Sequence, residues 1–230
     1  MRFKAIAVDV DGTLTDKDLI LDMNAVKALR SLKSMGLEII ICSGNVLPIA
    51  FAISRYVGAR GPVVAENGGV IYYNDEIRVL SRPDEAIRAF EYLRKRLPVR
   101  RLFTDRWRES EVGFYQDVDV DEVRRILKDF DVLVESSGYA IHIMPNHITK
   151  MDGIRALEEM TGISPEEIIA IGDGDNDAAM IEGCGYGIAL ANASEKAKEK
   201  ADYVTEKTYG EGFVEASMKI KEMLQSASLK

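Results

Sequence analysis

The chain has 230 residues, 30 basic against 38 acidic, giving a formal charge of −8, with 47% hydrophobic and 30% charged residues. That balance is ordinary for a globular protein with a sizeable core, and its acidity runs against the basic footprint of a nucleic-acid binder. No apolar run approaches the roughly 18 residues needed to span a bilayer, so neither nucleic acid nor membrane is an expected partner.

The first apolar segment, Ala5-Ile6-Ala7-Val8, reads as a strand buried on both faces. Met1-Arg2-Phe3-Lys4 leads straight into it without the successive regions of a signal peptide, which predicts a cytoplasmic chain. Cys42 and Cys184 have neither the number nor the spacing of a disulfide scaffold or a thiolate zinc site, and are expected in the core. The strand ends in Asp9-Val10-Asp11-Gly12-Thr13. Two carboxylates this close at the end of an apolar strand repel each other unless a cation or a proton holds them, although Asp11-Gly12 alone also suits a turn.

A helix is predicted from Asn24 to Met35, closed by Gly36, and a second buried strand from Leu37 to Cys42. Ser43-Gly44-Asn45 follows, and Pro48 suits the first turn of a helix running to Val57. Val63-Val64-Ala65 reads as a third strand, followed by the turn Glu66-Asn67-Gly68-Gly69 and a hairpin of Val70–Tyr73 with Ile77–Leu80. From Arg82 to Pro145 the pattern changes to a helix through Leu97, a strand Glu111–Gln116, a helix Asp121–Phe130, and strands Asp131–Glu135 and Tyr139–Met144 across Ser136-Ser137-Gly138. This is expected to be a small α/β unit inserted into a larger α/β domain. Arg100, Arg101, Arg106 and Arg108 surround the single tryptophan, Trp107. They read mainly as a solvated charged face, with one of them open to an anionic substrate.

The first pattern resumes with a helix Met151–Met160, closed by Gly162, and a short helix opened by Ser164-Pro165-Glu166-Glu167. Next come a strand Ile168–Ile171, short strands Tyr186–Leu190 and Tyr203-Val204, and a helix Phe213–Leu224. The late strand runs into Gly172-Asp173-Gly174-Asp175-Asn176-Asp177, a second acidic strand end. Ligands of parallel α/β sheets collect outside the carboxyl ends of strands, where these segments supply hard oxygens, a hydroxyl, amides and backbone N–H groups. That donor set suits Mg2+ with a phosphate. It does not suit a calcium loop, because Ala178 and Cys184 stand where the glycine and the final glutamate belong.

Asp9-Val10-Asp11-Gly12-Thr13 resembles the first motif of the haloacid dehalogenase superfamily phosphatases. Ser43 matches their second motif, Lys150 with Gly153 the third, and Gly172–Asp177 the fourth. The inserted unit resembles the cap of the Cof-like branch, and the overall length is most like the archaeal-type phosphoglycolate phosphatases. The resemblance implies a Rossmann-like parallel-sheet core, residues 1–81 and 146–230, and an α/β cap, residues 82–145, that sets specificity. It implies Mg2+-dependent hydrolysis of a small phosphorylated metabolite, with 2-phosphoglycolate foremost, through an aspartyl-phosphate. Asp9 would be the nucleophile and Asp11 the general acid and base. Mg2+ would be held by Asp9, the backbone carbonyl of Asp11 and Asp173, with Asp177 either a ligand or placed just behind the ligands. Ser43, Gly44, Lys150 and Asn176 would bind phosphate or substrate. Two readings stay open beside it: a sugar-phosphate phosphatase, and a phosphoaccepting signalling module. His142, His147 and the Glu66–Gly69 turn are expected to be structural, Asn45 departs from the arginine common in the family, and the chain is expected as a monomer or a homodimer.

Overall fold

A computed structural model describes residues 3–136 and 140–228. The leader residues Met1-Arg2, the link through Ser137-Gly138 and the expected strand start at Tyr139 lie outside the described residues. The elements in chain order are β1 (Ala5–Val8), α1 (Met23–Ser34), β2 (Glu38–Cys42), α2 (Leu47–Val57), β3 (Val63–Ala65), β4 (Val70–Tyr73) and β5 (Glu76–Val79). Then follow α3 (Asp84–Leu93), β6 (Val112–Tyr115), α4 (Val120–Ile126), β7 (Val132–Ser136) and β8 (Ala140–Pro145). The last are α5 (Lys150–Thr161), β9 (Ile168–Gly172), α6 (Ala178–Gly183), β10 (Tyr186–Ala189), α7 (Glu195–Lys200), β11 (Tyr203–Val204) and α8 (Tyr209–Ser228).

Eight strands form one sheet in the order β11-β10-β9-β1-β2-β3-β4-β5, all running the same way except β4, which pairs antiparallel with β3 and β5. In β1, alternate side chains enter opposite layers, as the two-residue period of a strand requires. Ile6 and Val8 pack with Leu29 and Leu32 of α1 and with Phe213 and Ile220 of α8. Ala5 and Ala7 face Ile154 and Leu157 of α5. Both cysteines are buried. Val8 pairs with Ile41 on one side and Ile171 on the other, so β1, β2 and β9 end at one level and their loops open together.

The α/β insertion carries a separate antiparallel sheet, β6-β8-β7. Its own core joins Phe90 and Leu93 of α3 to Phe114, Val123, Ile141 and Ile143. Helix α3 stops at Leu93 rather than Leu97, because Pro98 disfavours helical backbone at Leu97 and the chain turns out through Leu97 N–H to Leu93. Helix α4 stops at Ile126, not Phe130, and a 3-10 segment, Phe103–Trp107, stands where no element is expected. Helix α8 begins at Tyr209, four residues early, because Gly210 and Gly212 in its first turns mask the apolar period. Among the described residues no helix is long and apolar enough to cross a membrane.

Candidate active site

The register of β1, β2 and β9 delivers the expected residues to one place. Asp9 extends β1 by donating its N–H to Ile171 O at 3.0 Å and is 5% exposed. Gly12 follows with φ of +88°, a conformation that would strain any L side chain, and a Cβ there would collide with the Asp173 carboxylate. The glycine therefore lets the first loop lie directly against the fourth motif. Thr13 Oγ1 donates to Asp173 Oδ1 at 2.9 Å, which seals that contact.

Lys150 arrives from the other end of the chain. Thr149 caps α5 in a capping box with Asp152, and Gly68 and Gly153 let the helix approach the Glu66–Gly68 turn with no side chain between them. Lys150 is fully buried, and its Nζ donates to Asp9 Oδ1 at 2.7 Å and to Asp177 Oδ1 at 2.6 Å. Burial alone would lower the ammonium's pKa, but the charges of Asp177 and Asp9 outweigh it and raise it. The other oxygen of Asp177 accepts N–H groups from Asp173 at 3.0 Å and Gly174 at 2.8 Å. Asp177 thus holds both the lysine and the acidic loop.

Asp9 Oδ2, by contrast, is buried and has no hydrogen-bond partner. Carboxylate oxygens of Asp9, Asp173 and Asp177 lie within 4.8 Å of one another. Burial, then the neighbouring carboxylates, push Asp9 up against the pull of Lys150, and burial first, then Asp177, raises Asp173 to about 7. Buried hard oxygens crowded in this way, one of them bare, fit a divalent cation. Asp11 accepts from Asn45 Nδ2 at 2.8 Å, and burial lifts its carboxyl above the usual range against Lys150 and that hydrogen bond. Asn45 thus orients Asp11.

A cavity of ≈ 300 Å³ opens over these groups, lined by Asp9, Asp11, Gly44, Asp173, Asn176 and Asp177 from the core, and by Thr104, Arg108 and His142 from the inserted unit. Lys150 and Ser43 are fully buried, and Ser43 Oγ accepts Asn45 N–H at 3.0 Å. Asn176 Nδ2 donates to Asn67 Oδ1 at 2.8 Å.

Two expectations need correction. The Glu66–Gly69 segment is more than a turn: Asn67 Nδ2 donates to Glu111 Oε2 at 2.9 Å, and Glu66 Oε2 accepts Ser110 N–H at 2.9 Å and its hydroxyl at 2.7 Å, which ties core to insertion. Arg108 is no part of a solvated face. Its side chain is 2% exposed, pairs with Glu111 and donates to Gly44 O at 2.9 Å, while Arg100 stays 71% exposed. His142 is buried with Nδ1 2.8 Å from Glu111 Oε1, so it has a structural partner and also lines the cavity, whereas His147 is exposed.

Sequence reasoning missed Asn192. Its Nδ2 donates to Asp173 Oδ2 at 3.0 Å and Gly12 O at 3.1 Å, and its Oδ1 accepts Tyr209 N–H at 2.6 Å. Only its place after β10, another strand of the same sheet end, could have pointed to it.

A model of haloacid dehalogenase-like hydrolases matches residues 6–106 and 111–216. A phosphoglycolate phosphatase from Methanothermobacter thermautotrophicus is 46% identical over 213 residues, which is 93% of this chain and 96% of the relative. A crystal structure of a Thermoplasma acidophilum protein superposes with a TM-score of 0.86 at 33% identity, covering 95% of this chain and 98% of that one. A sugar phosphatase of haloacid dehalogenase subclass IIB shares the fold, with a TM-score of 0.79 at 20% identity, over 95% of this chain and 99% of its own.

Proposed function

The chain belongs to the haloacid dehalogenase-like hydrolases and is a phosphoric monoester hydrolase, and from that premise we propose that it converts 2-phosphoglycolate to glycolate and phosphate. The name of the Methanothermobacter relative supports this substrate. The observation that carries the chemistry is the bare Oδ2 of Asp9, a residue held through Oδ1 by Lys150 that lines the cavity together with Asp11.

In this reading Asp9 Oδ2 attacks phosphorus and forms an aspartyl-phosphate, as covalent catalysis by a carboxylate requires. Asp11, oriented by Asn45, gives a proton to the leaving alkoxide and then takes one from the hydrolytic water. Lys150 compensates the charge of Asp9 and Asp177 from below, and Gly44 and Asn176 border the phosphoryl group, since this transfer is mostly positioning and electrostatics. Mg2+ would be held by Asp9, Asp173 and the Asp11 carbonyl, and would screen nucleophile from phosphate. Both Asp177 oxygens are already engaged, which favours its role in holding the loop that carries Asp173.

Phosphate release from 2-phosphoglycolate, measured with Mg2+ and with EDTA, tests this reading. Sustained turnover that EDTA abolishes is expected. A single stoichiometric phosphorylation without turnover would overturn it in favour of a signalling module.

A further inference from the structure

We propose that Arg108 recognises the non-reacting end of the substrate, and that this end is a carboxylate. The inference rests on the phosphatase reading above and adds the residue that selects among phosphate monoesters.

Arg108 is the one lysine or arginine among the described residues lining the cavity. Its neighbours across that space are the carboxylates of Asp9, Asp11, Asp173 and Asp177, which repel any anionic tail lying towards them. An anionic tail has one favourable direction, towards the inserted unit. Arg108 is also built in place. Nη1 reaches Gly44 O and Glu111, and Glu111 is itself fixed by Asn67 and His142. Rigid placement of this kind reduces the ordering cost of binding.

The guanidinium is not saturated. Nε is buried without a hydrogen-bond partner, its nearest anion being Asp105 Oδ1 at 3.8 Å, and Nη2 donates to no described residue. Idle donors on a side chain 2% exposed are costly unless a ligand takes them. Charge decides which ligand. Glu111 and, at 3.8 Å, Asp105 already set negative charge against Arg108, so what remains suits a singly charged planar group rather than a second phosphate, and a carboxylate matches the planar guanidinium. A cavity of ≈ 300 Å³ accommodates the phosphoryl group together with a short carbon chain. The substrate class is therefore a short phosphorylated hydroxy acid.

The test compares kcat/KM for 2-phosphoglycolate and 2-hydroxyethyl phosphate, which differ only in carboxylate against hydroxymethyl. The wild-type protein should prefer the carboxylate by about 100-fold, and Arg108→Gln should bring the ratio close to one, mainly through KM for 2-phosphoglycolate. Arg108→Lys, which keeps charge but loses the fork, should retain about a tenth of the preference. A purely structural arginine would lower both substrates together and leave the ratio unchanged, and that result overturns the proposal. So does a wild-type ratio near one, which needs no variant to fold. Turnover of neither ester by the wild-type protein is a distinct outcome that defeats the proposed function itself.

Discussion

Core and inserted unit each bury a cluster of charges, but they leave different things unsatisfied. In the core, Lys150 binds one oxygen each of Asp9 and Asp177, and the excess of carboxylates leaves Asp9 Oδ2 bare. In the insertion, Glu111 is surrounded by donors from Arg108, His142 and Asn67 and is held at about 2, because Arg108 and then His142 and Asn67 outweigh its burial. One cluster is short of positive charge and exposes an acceptor. The other holds an arginine whose buried Nε has no hydrogen-bond partner. A phosphorylated acid laid between them, with a cation on the core side, complements both.

The comparison is broken most severely by Asp9→Asn, which removes the bare acceptor and should lower kcat by about 10⁴-fold or more while the thermal midpoint moves little. Near-normal turnover would remove Asp9 from the nucleophile role. Glu111→Gln attacks the other side: it strips the anion from a buried arginine and should destabilise the protein by about 3 kcal/mol in urea unfolding. The sign of the pH effect follows from the folded carboxyl lying below its ordinary 4.5. Its stabilisation is fully present above about 4.5 and is lost as pH falls towards 2. Fluorescence of Trp107, next to Arg108, should report that loss on acid titration, and Glu111→Gln should flatten the slope in that window.

A smaller effect is expected at Asn192, which touches Asp173 and not the cavity. Asn192→Ala should raise the Mg2+ concentration needed for half-saturation by about tenfold, in calorimetric titration of the metal as well as in activation, and leave KM for substrate near its original value. A shift of substrate KM alone would show that the residue acts elsewhere. The smallest effect belongs to Arg78→Ala, whose ion pairs with Glu76 and Glu159 lie on the surface and should contribute less than about 1 kcal/mol in the same unfolding assay. Its activity should match that of the unchanged protein.

These two regions also differ in how far they can be read from residues alone. The parallel core was legible because apolar runs such as Ile39-Ile40-Ile41 and Ile168-Ile169-Ala170-Ile171 end abruptly in polar residues, and strand ends share one side of a sheet. Asp9, Asp11, Asp173 and Asp177 were found that way, and Lys150 through the order of motifs. The insertion's elements were legible in type, but not its electrostatics. Arg108 differs in no local respect from Arg106, its exposed neighbour two positions away. Only the 3-10 segment Phe103–Trp107 decides that one arginine turns out to solvent and the other inward beneath Gly44. The Glu66–Gly69 segment was opaque for a related reason: Glu66 and Asn67 take φ of +49° and +52°, and their partners lie more than 40 residues further on.

The hydrogen bond from Tyr209 N–H to Asn192 has a consequence for the birth of the protein. The carboxylate of Asp173 is steadied by an amide that is itself steadied by the first residue of α8. A chain emerging from the ribosome therefore carries Asp9 and Asp11, just beyond β1, from the start, yet the loop that carries Asp173 is not braced until α8 has packed on the sheet. Such distant contacts form late.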